Sequence, residues 1–378
     1  MATQTPFKVI VFGPTGQVGS ATAIAAATAA AAEEVILAMR DVTKPLPACF
    51  QTFQSSSPDF PDFQRVQADL SDPRSVYEAV ASFSGSVKRA FVYGVEKTKP
   101  SRTNPSRTGG GGGGEDTAEK EDEEEEDYML STFQALRQAG VDFVVLLSGY
   151  ALQGSAEDVV ARHDKGGSEG KDIIGYGHAR QELSLHKAFG PSNYVAIRAG
   201  YFASNALIWR RAILSGKGNP TTTIKLKAPF TAKFDFVSTE DVGAVCGTIL
   251  ANGLPLPKGI TMVTNNTPDS NAMEIVGPGL LTQSQAVEAI ASAIGMEGEL
   301  VVEEAASEQE VLDMYMQMGI PPAVARHVSD ILGRRADGSD GWYREPAFGL
   351  SAGNVEAVLG RKGKRFREWA LEKRDLFL

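Results

Sequence analysis

Cysteine and histidine are scarce in this sequence, and their spacing argues against two kinds of site. The 378 residues include two cysteines, Cys49 and Cys246, and four histidines. No CxxC, HExxH or comparable spacing joins them, so we expect neither a disulfide framework nor a bound metal. Two isolated cysteines are typical of a protein in a reducing compartment.

The sequence also lacks a long hydrophobic run. The alanine-rich stretch 21–32 is too short and too weakly apolar to span a bilayer. No basic segment followed by an apolar stretch opens the sequence, so we expect no signal peptide. Together these features predict a cytoplasmic protein without a membrane partner.

Basic charge is not in excess. The formal net charge is −10, and the segment 115–127 alone holds ten acidic residues and one lysine, a local balance of −9. The remaining chain is nearly neutral and carries no field that would attract a polyanion. We therefore expect no nucleic-acid partner.

What the first half does contain is a regular alternation of apolar runs and helical stretches. Continuous apolar runs separated by helices are typical of strands buried on both faces of a parallel sheet. The sequence predicts an α/β fold, a doubly wound parallel Rossmann sheet with a smaller mixed α/β C-terminal lobe. The expected strands are 7–12, 34–39, one ending near Ala68, 89–95, 141–147 and 193–198.

We predict two domains. A Rossmann domain covers 6–200, and a smaller substrate or partner lobe covers 201–378, with the region 260–278 returning to the core sheet. The glycine-rich and acidic segment 98–127 interrupts the first domain and cannot bury enough apolar surface to order itself. It is interpreted either as a tolerated disordered insertion or as a regulatory, partner-binding loop.

A glycine-rich loop follows the first strand and opens an alanine-rich helix. The spacing G-x-x-G-x-x-G in this context is typical of a dinucleotide-binding turn. The first glycine permits the tight turn, the second lets the backbone approach a pyrophosphate, and the third lets helix and strand pack closely. The free N–H groups of the helix N-terminus would then face the phosphates. The loop residues are Gly13, Pro14, Thr15, Gly16, Gln17, Val18 and Gly19.

The end of the second strand indicates which dinucleotide binds. An acidic residue there would accept hydrogen bonds from the ribose, whereas Arg40 can pair with a 2′-phosphate. Arg40 therefore favours NADP(H) over NAD(H), although Asp41 follows it directly.

With these motifs the sequence resembles the NmrA-like group of atypical short-chain dehydrogenases/reductases over nearly its whole length outside 98–127. The resemblance implies that Asp69 and Leu70 flank the adenine. It also implies that Tyr93 and Gly94 pass beside the cofactor and that Gly200, Tyr201 and Phe202 cover its nicotinamide end. The segments that carry it are 13–19, Arg40, 68–70, 147–148, 178–182, 198–205, 236–242, 277–278 and 366–369.

The catalytic residues are less clearly marked. Ser148 ends the fifth strand, where ordinary short-chain dehydrogenases carry their serine, and Tyr176 with Arg180 forms Y-x-x-x-R in place of Y-x-x-x-K. Residues two apart on a helix point about 200° from one another, so Tyr176 and His178 cannot both face the nicotinamide. The resemblance implies a cofactor contact at the position of His178, where the family commonly carries a lysine, so we prefer His178 as the cofactor or acid/base contact, against a structural histidine. For Ser148 two interpretations stay open: a hydrogen-bond donor in the active site, or a cap at the end of the strand.

Two functions follow. The first is an NADPH-dependent oxidoreductase that reduces a carbonyl, imine or activated alkene of a small organic molecule. A substrate from specialised metabolism rests on the resemblance alone. The alternative is a non-catalytic NADP(H) sensor that acts through a protein partner.

Overall fold

The structure is a computed structural model that describes residues 7–29, 32–57, 63–94, 129–165, 173–218, 221–227, 231–263, 271–317, 319–334 and 343–378. The segment 98–127, for which an insertion is predicted, lies outside these residues. None of the helices within these ranges is long and apolar enough to cross a membrane.

Seven strands form one parallel sheet in the order β3-β2-β1-β4-β5-β6-β9. Strand order turns back at β1, as in doubly wound folds, so the expected fold class is confirmed. Two small sheets pair β10 with β8 and β11 with β7. In chain order the strands are β1 Lys8–Phe12, β2 Glu34–Met39, β3 Gln64–Gln67, β4 Val87–Tyr93, β5 Phe143–Gly149, β6 Tyr194–Ala199, β7 Thr222–Leu226, β8 Lys233–Phe234, β9 Ala272–Ile275, β10 Leu281–Thr282 and β11 Leu300–Glu304.

The helices begin where the local sequence indicates. Ser238 accepts a hydrogen bond from the Asp241 amide, and Thr282 and Gln285 form the reciprocal capping box that their spacing predicts. The helices are α1 Gln17–Thr28, α2 Ala48–Ser56, α3 Pro73–Ala81, α4 129–138, α5 Ala156–Lys165, α6 Ile173–Phe189, α7 Arg210–Gly216, α8 Thr239–Asn252, α9 Gln283–Ile294, α10 Glu308–Gln317, α11 Pro322–Arg334, α12 Ala347–Ala352, α13 Asn354–Leu359 and α14 Phe366–Glu372.

Helices cover both faces of the large sheet. One apolar core joins its strands to α1, α2, α8 and α13, and a second joins them to α3, α4 and α6. The α1–α8 contact is very close, because a side chain at Gly243 would overlap Ala21 and one at Gly247 would overlap the Thr22 carbonyl. Helix α8, from the second half of the chain, therefore covers the same face of the large sheet as α1.

A third core lies in the second half. It joins the 3₁₀ helix Ala203–Trp209 with β7, β8, α9, α10 and α14 around aromatic residues such as Phe234, Phe236 and Trp369. The rings of Phe236 and Phe366 pack with centroids 4.6 Å apart and planes tilted by 50°. The exact division into domains at residue 200 stays a prediction.

Candidate active site

The glycine loop has the backbone geometry that its spacing requires. Gly13 has a φ of +69°, in the left-handed region that favours glycine. A side chain at Gly19 would overlap the Gly13 carbonyl, so only glycine lets α1 begin this close to β1. At Gly16 an added Cβ would meet only the Gly13 oxygen, at 3.5 Å. The reasons predicted for Gly13 and Gly19 thus agree with the structure, whereas the role of Gly16 and phosphate binding stay predictions.

The tip of this loop is open. Gly16 and Gln17 are exposed, Thr15 is half-buried, and Pro14 and Val18 pack inward. No side chain caps the N-terminus of α1. The loop is also tied to the second half of the chain, since Thr239 Oγ1 donates to Gln17 Oε1 at 3.0 Å. An uncapped helix N-terminus at an open loop is suited to receive an anionic group.

Arg40 stands at the end of β2 with its side chain exposed. Within the described ranges it makes no ion pair. Asp41, by contrast, is engaged in its own turn: its Oδ1 accepts from the Thr43 amide at 2.9 Å and from the Thr43 hydroxyl at 2.6 Å. The hydrogen bonds from Thr43 lower the pKa of Asp41. The Arg40 guanidinium therefore remains available to a ligand, while the Asp41 carboxylate is held by Thr43.

Tyr93 lies between the glycine loop and the end of the sheet. A Cβ at Gly13 would lie 2.6 Å from Tyr93 Cε1, so the phenol ring rests on the loop. Burial raises the pKa of Tyr93; the charge of Arg40 opposes this rise and that of Asp69 adds to it. Asp69 Oδ1 accepts from the Ser71 amide at 2.9 Å.

Leu70 differs from these exposed or half-buried neighbours. Its side chain is buried in the core beneath α3 and α4, and its carbonyl accepts from Thr132 Oγ1 at 3.0 Å. Any adenine contact from Leu70 would therefore come chiefly from its backbone.

A cavity of about 1460 Å³ opens at the carboxyl ends of β4, β5 and β6. It brings together several residues singled out from the sequence and adds an apolar wall from the second half of the chain. Tyr176 is not among the lining residues. They include Tyr93, Gly94, Ser148, His178, Gly200, Tyr201 and Phe202 of the predicted set, together with Gln181, Leu207, Ile208, Arg211, Lys227, Tyr315, Ile320 and Tyr343.

His178 and Tyr176 face different surroundings on α6. The imidazole of His178 packs so closely on Gly149 that a side chain there would overlap Nε2. The Tyr176 ring stacks on His163 of α5, with centroids 3.6 Å apart and planes 12° apart. Arg180, which would replace the lysine of Y-x-x-x-K, lies 5.6 Å from the Tyr176 ring centroid. Helix periodicity thus places one of the two candidates at the cavity and the other against a neighbouring helix.

Ser148 belongs to a buried network. Its Oγ donates to Glu182 Oε1 at 2.6 Å, and the Arg198 guanidinium donates to the two oxygens of Glu182 at 3.0 and 2.7 Å. Arg198 is 1% exposed and also donates to the Leu152 and Gly154 carbonyls. The Ser148 proton is therefore directed away from the cavity in this arrangement. The sequence did carry an indication of the Glu182–Arg198 pair. Arg198 ends the largely apolar strand segment 193–198, and a buried arginine requires a partner.

Gln181 was missed by the sequence reasoning. Its amide group lies against Gly94, where any side chain would overlap it. Its Oε1 is buried and accepts no hydrogen bond from the described residues. An acceptor left in this way at the cavity wall suits a ligand that carries an N–H group.

Asp235 is a second residue that sequence reasoning missed. It is buried behind the cavity wall, where its carboxylate accepts from the amides of Tyr201 and Gly277 at 2.8 and 2.9 Å and from the Tyr343 hydroxyl at 2.6 Å. Burial raises its pKa, and these hydrogen bonds oppose the rise. Asp235 thereby fixes the position of Tyr201 and Tyr343 at the cavity.

Lys227 is the third. It is 5% exposed, and its Nζ lies 3.7 Å from the centroid of the Tyr315 ring. Burial lowers its pKa to about 7. Residues two apart on a strand share a face, so Lys227 would be expected on the same face as the half-buried Lys225. The local sequence therefore gave no indication that Lys227 lines a cavity.

Comparison with known proteins supports the fold and the resemblance. No family model matches the chain. Over 372 residues it is 28% identical to the nitrogen metabolite regulation-like protein bik4 of Gibberella fujikuroi, covering 98% of this chain and 96% of that protein. The expected resemblance to NmrA-like proteins is thus confirmed.

Solved structures give the same picture at lower identity. Citrobacter sp. triphenylmethane reductase complexed with NADP(H) is 15% identical with a TM-score of 0.60, covering 97% of this chain and 99% of that one. The NADPH-dependent quinone oxidoreductase QOR2 from Escherichia coli, complexed with NADPH, is 14% identical with a TM-score of 0.60 and the same coverage. The chain therefore shares the Rossmann-type fold of these two proteins.

Proposed function

We propose that this protein is an NADPH-dependent oxidoreductase that reduces a carbonyl, imine or activated alkene of a small organic molecule. The observation that carries the proposal is the position of Tyr93, whose ring rests on Gly13 at one side and lines the cavity at the other. A dinucleotide held by the loop would pass this tyrosine and reach the cavity with its far end. A substrate from specialised metabolism is in keeping with the NmrA-like resemblance.

The chain's own residues fit such a cofactor. Gly13 and Gly19 admit no side chain, which keeps the loop tight at the open N-terminus of α1, and Arg40 is available for a 2′-phosphate. Gln181 Oε1 offers an acceptor for an amide N–H at the cavity. The two solved structures named above are complexes with NADP(H) and NADPH.

When bound, NADPH would supply a hydride to an electrophilic carbon. The residues around the cavity would orient the substrate and keep water out, since its wall is largely aromatic and aliphatic. His178 lies on that wall and can pass a proton to the atom that gains electron density. Ser148 donates to Glu182, so in this arrangement it positions α6 rather than acting as the proton source.

The cofactor preference provides the first test. Wild-type protein should bind NADPH more tightly than NADH, and Arg40→Ala should remove the preference. Loss of one charge-assisted contact should weaken NADPH binding about ten- to a hundred-fold. Arg74→Ala, at an exposed arginine of α3, is the matched control and should bind like wild type. Equal affinities of the wild type for the two cofactors would contradict the proposal.

Turnover provides the second test. NADPH oxidation should be followed with matched quinones, aldehydes, enones and imines, using protein shown to bind the cofactor. Substrate-dependent oxidation supports the enzyme, and binding without turnover across all four classes contradicts it.

A second function, a non-catalytic NADP(H) sensor, is favoured by one observation. Two groups of the usual catalytic set have other partners, since Ser148 donates to Glu182 and Tyr176 stacks on His163. The relative bik4 is named a nitrogen metabolite regulation-like protein. A sensor would bind NADPH and NADP⁺ with different effects on a protein partner and would consume neither.

A further inference from the structure

Three side chains of α6 face the cavity in one row. Ile174, His178 and Gln181 all line it, and side chains three and four residues apart share one face of a helix. The helix is tied to the sheet at the adjacent position, because Glu182 pairs with the buried Arg198 of β6 at 2.7 Å. The fold therefore fixes which side chains α6 presents to a ligand.

Gln181 lies with its amide group against Gly94, the residue that follows β4. A Cβ added at Gly94 would overlap Nε2, Oε1 and Cδ of Gln181 at nearly equal distances. It is therefore the flat face of the amide, and not its hydrogen-bonding edge, that is turned to Gly94. Because Gly94 has no side chain, the amide can lie here at the cavity wall.

The amide oxygen of Gln181 has no donor in the part of the chain that the structure describes. Oε1 is buried and accepts no hydrogen bond from these residues. Two hydroxyl groups at the cavity are engaged with other acceptors, since Ser148 donates to Glu182 and Tyr343 donates to Asp235. Buried amide oxygens are rarely left without a donor in folded proteins, because the loss of hydration is then not repaid. This oxygen is therefore suited to a donor that arrives with a ligand.

The surroundings indicate what kind of donor this is. Gln181 lies beside the end of β4, and the neighbouring Tyr93 rests on the glycine loop. The cavity wall is largely aromatic and aliphatic, and an uncharged donor enters such surroundings at lower cost than a charged one. A planar N–H group, as in an amide or a lactam, meets both requirements.

We propose that Gln181 is a binding residue for an uncharged, amide-type N–H group, to which its Oε1 offers a hydrogen-bond acceptor inside the cavity. Two ligands of the proposed function can carry such a group: the carboxamide of the nicotinamide ring, and a substrate with a lactam or similar N–H. The assignment rests on the proposed function, because it concerns the same cavity. A ligand with a methyl group or an oxygen in place of the N–H would leave Oε1 without a donor and bind more weakly.

The first arm of the test compares NADP⁺ with its 3-acetylpyridine analogue, in which a methyl group replaces the amide nitrogen. Calorimetry with the full chain measures binding, so no turnover is required. If the carboxamide is the donor, wild type should bind NADP⁺ about tenfold more tightly than the analogue, and Gln181→Met should lose this preference. Gln51→Met, at an exposed glutamine of α2, is the matched control and should keep it.

The second arm compares 2-quinolinone with coumarin, two flat probes of the same shape in which an N–H of one is a ring oxygen in the other. It is measured with and without saturating NADP⁺. If the substrate supplies the donor, wild type should bind 2-quinolinone about tenfold more tightly than coumarin, and Gln181→Met should lose this preference. Gln181→Glu keeps an oxygen acceptor and removes the amide N–H, so it should retain the preference found in either arm.

A preference in one arm that depends on Gln181 supports the proposal and identifies the ligand that supplies the N–H group. Equal or absent binding of the paired probes to wild type in both arms, or a preference that survives in Gln181→Met, would overturn it. Loss of the preference in Gln181→Glu would assign the contact to Nε2 and would also overturn the acceptor role. Melting curves show that each variant is folded.

The outcomes also separate this assignment from the proposed function. If wild type binds and oxidises NADPH but shows no preference that depends on Gln181, only the role of Gln181 is wrong. If NADPH does not bind and the preference for 2-quinolinone depends on Gln181, the proposed cofactor is wrong and the acceptor role stands.

Discussion

The buried Glu182–Arg198 pair should be one of the most sensitive points of the fold. Arg198 is 1% exposed and makes hydrogen bonds to Glu182, to the Leu152 carbonyl and to the Gly154 carbonyl. Arg198→Met would leave the Glu182 carboxylate buried with the Ser148 hydroxyl as its one remaining donor among the residues that the structure describes. Removing one partner of a buried pair costs about 3–5 kcal/mol, because the remaining charge is neither hydrated nor paired.

The same change at an exposed pair provides the control. Arg74 and Glu78 form a bond of 2.8 Å on α3, with side chains 85% and 60% exposed. Arg74→Met should cost no more than about 0.5 kcal/mol, because water replaces the lost partner. The contrast between two arginine–glutamate pairs thus isolates the effect of burial.

The measurement is urea unfolding of five proteins: wild type, Arg198→Met, Glu182→Met, the double variant of these two, and the Arg74→Met control. Because the double variant leaves no unpaired charge, its loss should be about 2 kcal/mol or more below the sum of the two single losses. Additive losses, or an Arg198→Met variant within about 1 kcal/mol of wild type, would refute the idea that desolvated charge dominates here.

Three further predictions concern the site. Gly19→Ala should lower the melting temperature and the NADPH affinity more than Gly16→Ala, because only the side chain added at Gly19 would overlap the Gly13 carbonyl. Thermal melting and cofactor titration measure the two effects, and equal effects would contradict the prediction. His178→Ala should reduce NADPH binding or turnover far more than Tyr176→Phe, because of these two residues only His178 lines the cavity. A larger loss of turnover in Tyr176→Phe would instead indicate that Tyr176 is the acid/base group. Burial lowers the pKa of Lys227 to about 7, so the folded state binds its proton more weakly than the unfolded chain and stability should rise with pH above 7. Lys227→Met should therefore raise the unfolding midpoint at pH 6, and the gain should shrink as the pH approaches 10; a gain independent of pH would show that the charge is not responsible.

Much of the fold was predictable because its signals are local. The strands β1 and β2 follow from uninterrupted apolar runs, and the glycine loop follows from the required turn and close packing at Gly13 and Gly19. The starts of α8 and α9 follow from Ser238 and Thr282, whose side chains accept bonds from amides three residues on. Boundaries were less exact. The fifth strand was expected at 141–147 and lies at Phe143–Gly149, because its pairing with β6 extends to Gly149 opposite Ala199.

The sequence by itself therefore determined the Rossmann-type sheet, the loop at its first turn and the arginine after its second strand. Each of these rests on residues within one strand–helix unit. Only the tertiary structure decided which groups meet at the cavity. Tyr343 reaches Asp235 across 108 residues of sequence, and Lys227, which follows β7, lines the same cavity as His178 on α6. Such contacts depend on how separate elements pack, and no local propensity or spacing encodes them.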